Sequence, residues 1–166
     1  MLKEGDKLPA DRELMTVKGG KPTPVKLGDI ISNKKVVIFT IPGALTPTCQ
    51  DNHLPGYLKK VDDLKSKGVD QVICLAANDP FVMSSFAKQT GATDKIMMLG
   101  DGDASFVKEL GISFDTGPFG GVRARRGAMI VDDLVVKKIN LEEGGSFEGP
   151  SNVETIMSQL EETAKV

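Results

Sequence analysis

Short, wholly apolar runs that alternate with amphipathic stretches restrict this chain's folding more than any other feature. Val36-Val37-Ile38-Phe39 and Val72-Ile73-Cys74-Leu75-Ala76-Ala77 contain no polar residue. Runs of that length and composition are strands covered on both faces, which requires helices on either side of a sheet. The segments between them supply those helices.

The strand at 36–41 is followed by a helical pattern over about residues 48–66, with Leu54, Leu58, Val61 and Leu64 on one stripe. Pro55 lies inside that pattern and predicts a kink after its first turn or two. Asn78-Asp79-Pro80 opens a second helix beyond the run ending at Ala77. Met97-Met98-Leu99 reads as a strand, and residues 104–110 as a short helix ended by Gly111. Residues 111–122 read as a glycine-rich loop carrying Phe114 and Phe119. Strands at 123–131 and 134–140, joined through Asp132-Asp133, form a hairpin, and a capping box Ser151-x-x-Glu154 starts the last helix. Residues 1–34 read as an extension dotted with proline and glycine. The expected class is α/β with a central mixed sheet flanked by helices, and the closing hairpin and helix make it thioredoxin-like. The 166 residues fit one domain, 1–166.

Composition narrows the function classes. A net charge of −2 gives no general attraction to nucleic acid. No apolar stretch is long enough to cross a bilayer, and the first residues carry no targeting pattern, so the expected location is cytoplasmic unless a presequence has been removed. Two cysteines and a single histidine make neither a disulfide framework nor a zinc site, and no cofactor is implied. A reducing compartment follows.

Cys49 falls where the strand ending at Ile41 gives way, through Pro42-Gly43-Ala44-Leu45-Thr46-Pro47-Thr48, to a new helix. A thiol in the first turn of a helix meets unpaired N–H groups and the positive end of the dipole, both of which favour the thiolate. The loop also lies at the carboxyl end of a buried strand, where α/β sheets place their ligand crevices. Thr46 and Thr48 offer hydroxyls there, and Pro42 and Pro47 stiffen it. A second cysteine three residues on is missing, which disfavours dithiol exchange. Arg123, Arg125 and Arg126 supply cations; period two puts Arg126 on the face of Ala124, Ala128 and Ile130, where an arginine requires an anionic partner such as the thiolate. Arg123 is the alternative.

Pro42-x-x-x-Thr46-x-x-Cys49 resembles the active-site signature of the peroxiredoxins, and the longer PGALTPTC resembles the type II, peroxiredoxin-5-like subfamily. His53-Leu54-Pro55-Gly56-Tyr57, Asn78-Asp79-Pro80-Phe81-Val82-Met83, Arg125-Arg126 and Val131-Asp132-Asp133 extend the resemblance over roughly residues 4–160. It implies a peroxidase whose Cys49 attacks hydrogen peroxide or an alkyl hydroperoxide and becomes a sulfenic acid. By the same resemblance Thr46 holds thiolate and peroxide, Pro42 shields the site from water, and Arg126 lowers the thiol pKa and stabilises the transition state. The N–H groups of Thr48 and Cys49 would bind the peroxide oxygens, Phe119 would line the substrate pocket, and the protein would be a homodimer.

Cys74 lies about 10 Å beneath the sheet edge where Cys49 should sit, too far for a disulfide without local unfolding. The region Gly144 to Ser151 has no cysteine, unlike some relatives. A one-Cys cycle is therefore expected, reset by glutathione with glutaredoxin or by thioredoxin. His53, one helical turn beyond Cys49, reads as a structural or interface residue rather than a catalytic partner. Leu45 and Gly127 stand where relatives commonly carry aromatics, and Gly127 is expected to loosen the pocket wall. The rival readings are a thioredoxin-fold redox sensor or chaperone whose Cys49 oxidises slowly, and a thiol transferase.

Overall fold

The computed structural model describes residues 1–46, 53–143, 147 and 149–164. A seven-stranded mixed sheet forms the centre. Its middle is β3 (Lys35–Ile41), β4 (Gln71–Ala76) and β5 (Met97–Gly100), which run parallel, as the continuous apolar runs require. Antiparallel β8 (Gly127–Asp132) and β9 (Val135–Leu141) extend one side, and β1 (Glu13–Lys18) with β2 (Lys21–Lys26) the other.

Alternation along β3 builds two cores. Val37, Phe39 and Ile41 pack with Leu54 and Tyr57 of α2 (Leu54–Lys59), Val61 and Leu64 of α3 (Val61–Ser66), Met83 and Phe86 of α4 (Pro80–Thr90), and Val153, Ile156 and Leu160 of α6 (Val153–Ala164). Val36 and Ile38 face the opposite side, with Leu27 and Ile31 of α1 (Leu27–Ile31) and Phe106 and Val107 of α5 (Ser105–Leu110). Each such side chain, fully buried, contributes about 1.5–3 kcal/mol of transfer free energy. These two layers confirm the expected class.

Several local expectations are corrected. The N-terminal extension contains a hairpin that joins the main sheet, with Met15 opposite Gly100. Pro22 and Pro24 are accommodated because β2 is an edge strand, so the donors they lack leave no gap in the ladder. The helix expected over 48–66 begins outside the described residues; from Leu54 onward it is two short ones, with Pro55 near the start of α2 and an interruption at Lys60.

The strand expected at 123–131 is interrupted at Arg125-Arg126. β7 (Val122–Ala124) pairs with β6 (Ser113–Asp115) in a separate two-stranded sheet, so the glycine-rich loop holds a small hairpin around a 3-10 turn at Gly117–Phe119. The tight turn between β8 and β9 is Asp133-Leu134, both with positive φ (46° and 69°), one residue later than expected. The capping box does not form: Asn152 Oδ1 accepts from Thr155 N at 2.9 Å, while Ser151 Oγ donates to Glu142 instead.

The turn between β4 and α4 crosses closely over β5. Asp79 caps α4 by accepting from Phe81 N and Val82 N at 2.9 and 3.0 Å, as its sequence position predicts. A Cβ on Gly100 would lie 2.6 Å from Asn78 O, a backbone atom that cannot rotate away. Gly100→Ala is accordingly expected to lower the unfolding free energy by about 1–3 kcal/mol. Urea unfolding would read this as a reduced midpoint with an unchanged slope.

Candidate active site

The chain leaves β3 at Ile41 and enters β8 at Gly127. Thr40 pairs opposite Gly127, so Pro42 and Arg126 emerge at the same end of the sheet. Thr40 Oγ1 donates to Arg125 O at 2.7 Å and ties the two departures together. The loop after Pro42 is held from inside and outside. Thr46 Oγ1 donates to Gly43 O at 2.7 Å, and Ala44 N donates to Asn78 Oδ1 at 3.0 Å. Leu45 has φ of 68°, a strained conformation that such a tied loop can impose. Gly43 and Ala44 are buried, while Pro42 and Thr46 are half-buried. Cys49 and Thr48 lie outside the described residues.

Arg126 is 2% exposed, a whole guanidinium within the protein. The interruption before β8 changes the faces expected from strand period two: Ala124 belongs to the core on the α1 and α5 side, whereas Ala128 and Ile130 pack on the other. Arg125 is half-buried, donating from Nη2 to Glu142 O at 2.9 Å. Arg123, the alternative, donates to Gly120 O and Ala77 O at 3.0 and 3.3 Å, so its guanidinium serves backbone carbonyls.

Among the described residues, His53 lies beside Arg126. Arg126 Nη1 lies 3.0 Å from His53 Nδ1, and His53 Nε2 lies 3.0 Å from Ser151 O. A guanidinium can only donate and a carbonyl can only accept. The ring is therefore the neutral tautomer with its proton on Nε2. Burial, then the charge of Arg126, pushes the His53 pKa down to about 3. The ring sits among Phe39, Tyr57 and Phe147, with centroids 5.1, 5.5 and 4.9 Å away. Tyr57, stacked on Phe39, also donates to Ser151 O at 2.6 Å, and burial raises its pKa well above the usual phenol value.

The sequence reads His53 as a structural or interface residue and does not mark Glu142, Ser151 or Tyr57 as part of the site. The i, i+4 spacing of His53 and Tyr57 was the available signal for one polar face on α2. Gly127 does not loosen a wall: a Cβ there would sit 2.7 Å from Leu141 Cδ2 and 3.0 Å from Asn140 O, so the space is filled. Phe119 is 74% exposed in the 3-10 turn. No cluster of three metal-binding side chains occurs among the described residues. Nor is any helix among them long and apolar enough to cross a membrane.

Residues 3–157 match the redoxin family. Peroxiredoxin-2C of Oryza sativa subsp. japonica is 41% identical over 145 residues, covering 86% of this chain and 89% of the relative. The chain is a peroxiredoxin of the redoxin family. The chloroplastic peroxiredoxin-2E of Arabidopsis thaliana is 42% identical over 151 residues, which are 89% of this peroxiredoxin and 64% of the relative. This peroxiredoxin thus spans somewhat under two thirds of that relative's length. Reduced Prx3 of Vibrio vulnificus, solved in complex with hydrogen peroxide, superposes with a TM-score of 0.92 at 44% identity, covering 99% of both chains.

Proposed function

We propose that this peroxiredoxin is a thiol peroxidase acting on hydrogen peroxide and alkyl hydroperoxides through Cys49. The observation that carries this reading is Arg126, a cation 2% exposed at the sheet end from which the Cys49 loop departs. A guanidinium fixed at that place favours negative charge beside it, which a thiolate and a departing peroxide oxygen both bring. The Cys49 thiolate attacks one peroxide oxygen; the S–O bond forms as O–O breaks. Sulfur is oxidised to the sulfenic acid, and the departing oxygen takes a proton and leaves as water or alcohol. Arg126 favours the thiolate and stabilises the developing oxyanion. The Thr46 hydroxyl and the N–H groups of Thr48 and Cys49 hold the peroxide in line, Pro42 excludes water, and Phe119 borders the approach.

The cycle we propose uses one cysteine. Cys74 is fully buried in mid-sheet, in register between Phe39 and Met98, so bridging it to Cys49 would pull β4 out of the sheet. An external thiol therefore attacks the sulfenic acid, releasing water and leaving a mixed disulfide that a second thiol opens. Glutathione with glutaredoxin, or thioredoxin, would serve, in a compartment that keeps thiols reduced. Assembly as a homodimer belongs to the same reading.

Peroxide turnover with glutathione and glutaredoxin, set beside thioredoxin, tests it. Catalytic amounts should consume hydroperoxide with at least one reductant, and Cys49→Ser should abolish consumption. Mass measurement after oxidation without reductant should show added oxygen. Activity surviving Cys49→Ser would overturn the site, and an intramolecular Cys49–Cys74 bridge would overturn the one-Cys cycle.

A further inference from the structure

The aromatic tip of the β6–β7 hairpin is tied to the proposed site through one side chain. Phe119 is 74% exposed, so its own packing does little to place it. The tip that carries it is firm within itself. Thr116 N and Oγ1 donate to Gly121 O at 2.8 and 2.6 Å, Gly121 N to Gly117 O at 2.9 Å, and Gly117 N to Asp115 Oδ1 at 2.8 Å. The tie to the main sheet comes from Arg123. Its guanidinium donates from Nε to Gly120 O at 3.0 Å, and from Nη1 to Ala77 O, just past the carboxyl end of β4, at 3.3 Å. Among the described residues, the second of these is the one hydrogen bond from residues 113–124 to another part of the fold.

Two glycines fit around this guanidinium. A Cβ on Gly120 would lie 2.6, 2.8 and 3.0 Å from Arg123 Nη2, Nε and Cζ, although the φ of Gly120 is −171°, a value any residue adopts. The arginine, and not the turn, therefore requires a glycine there. A Cβ on Gly43 would lie 3.8 Å from Arg123 Nη1 and 3.2 Å from Thr46 Cγ2, so the same guanidinium reaches the loop behind Thr46.

We propose that Arg123 is a positioning residue that sets peroxide selectivity. It clamps the Phe119 tip to the end of β4, beside the Pro42–Thr46 loop, and so fixes an apolar wall for the organic group of an alkyl hydroperoxide. This role rests on the reading of Phe119 as a border of the approach to Cys49. A planar guanidinium presents its N–H groups in a rigid fork, so carbonyls from two segments are held at a set angle. An ammonium is a point charge on a flexible stem and sets no such angle. A wall held in this way sorts substrates by their tails: hydrogen peroxide has none to meet it, whereas a cumyl group packs against the phenyl ring.

Stopped-flow oxidation of Cys49 by hydrogen peroxide and by cumene hydroperoxide, with melting temperatures, tests the clamp. The proteins compared are the wild type, Arg123→Met, Arg123→Lys, Gly120→Ala, Phe119→Ala and the double variant Arg123→Met/Phe119→Ala. In every single variant the rate constant with cumene hydroperoxide is expected to fall about 5- to 20-fold, and that with hydrogen peroxide by less than about threefold. Lysine keeps the charge, so its loss reports the fork. The double variant should lose no more than Phe119→Ala alone, because both changes remove one wall.

The clamp is excluded if Arg123→Met or Arg123→Lys keeps the wild-type selectivity while Phe119→Ala loses it. It is also excluded if the losses multiply in the double variant, or if both peroxides slow in proportion and follow the melting temperatures. Unchanged selectivity in Phe119→Ala, with peroxide still consumed, would remove Phe119 from the approach and the clamp's role with it. A wild-type Cys49 that neither peroxide oxidises would instead overturn the proposed function. Should Arg123→Met not fold, Gly120→Ala, which displaces the guanidinium but keeps the arginine, decides beside Phe119→Ala.

Discussion

Replacing Arg126 with glutamine is expected to slow oxidation of Cys49 by hydrogen peroxide by about 100- to 1,000-fold, whereas Cys74→Ser changes it by less than about threefold. Two effects combine in the first variant. A thiol of pKa ~8.5 is only about 3% ionised at pH 7, against roughly 90% at a pKa of ~6, so loss of the cation can remove about thirtyfold in thiolate. Part of that is returned, because a more basic thiolate is a better nucleophile. The larger loss is expected in the departing oxygen, whose charge no longer meets a guanidinium. Stopped-flow rates separate the two: at about pH 9.5 both proteins carry mostly thiolate, so the remaining gap reports the transition state alone. Glutamine can still donate to His53 Nδ1, which keeps the buried acceptor satisfied. Equal losses in Arg126→Gln and Cys74→Ser would contradict both assignments, since Cys74 is fully buried within β4.

Stability is expected to decline in acid through one residue. His53 is the sole histidine, and its pKa falls from 6.5 to about 3 on folding. Between those values the unfolded chain binds a proton that the folded protein excludes, so stability rises with pH across this window. The contribution is complete above about pH 6.5 and is lost as pH falls towards 3, by up to about 5 kcal/mol. Between pH 6.5 and 5, before most carboxylates titrate, the loss is expected to be about 2 kcal/mol. Urea midpoints at pH 7, 6 and 5 test this with a clean background, because no other imidazole titrates. His53→Gln should flatten the slope above pH 5 while lowering stability at pH 7, and a wild-type protein equally stable at pH 7 and 5 would exclude a neutral buried ring.

Legibility in the sequence followed the range of the interaction that shapes each part. β3 and β4 are announced by unbroken apolar runs, and α4 by Asp79-Pro80, because burial on two faces and a local cap are written in adjacent residues. β2 hid behind Pro22 and Pro24, which are acceptable only because the strand is an edge, a fact of topology. Arg126 was singled out, but its face was not: strand period two was carried through Arg125-Arg126, where the chain passes from one sheet to the other. The hydrogen bonds that link Arg126, His53, Ser151 and Glu142 join residues far apart in the chain. His53 and Arg126 are 73 positions apart, and no local pattern encodes their meeting.

The carbonyl of Ser151 receives two donors, His53 and Tyr57, and Tyr57 is the sole tyrosine of a chain without tryptophan. Its phenol is therefore a native optical probe placed one hydrogen bond from the carbonyl that also holds His53. Tyrosine emission and near-ultraviolet dichroism should register any rearrangement at Ser151 directly, with no label to perturb it. Peroxide titration followed in that signal would tell whether the backbone at Ser151 moves when sulfur is oxidised.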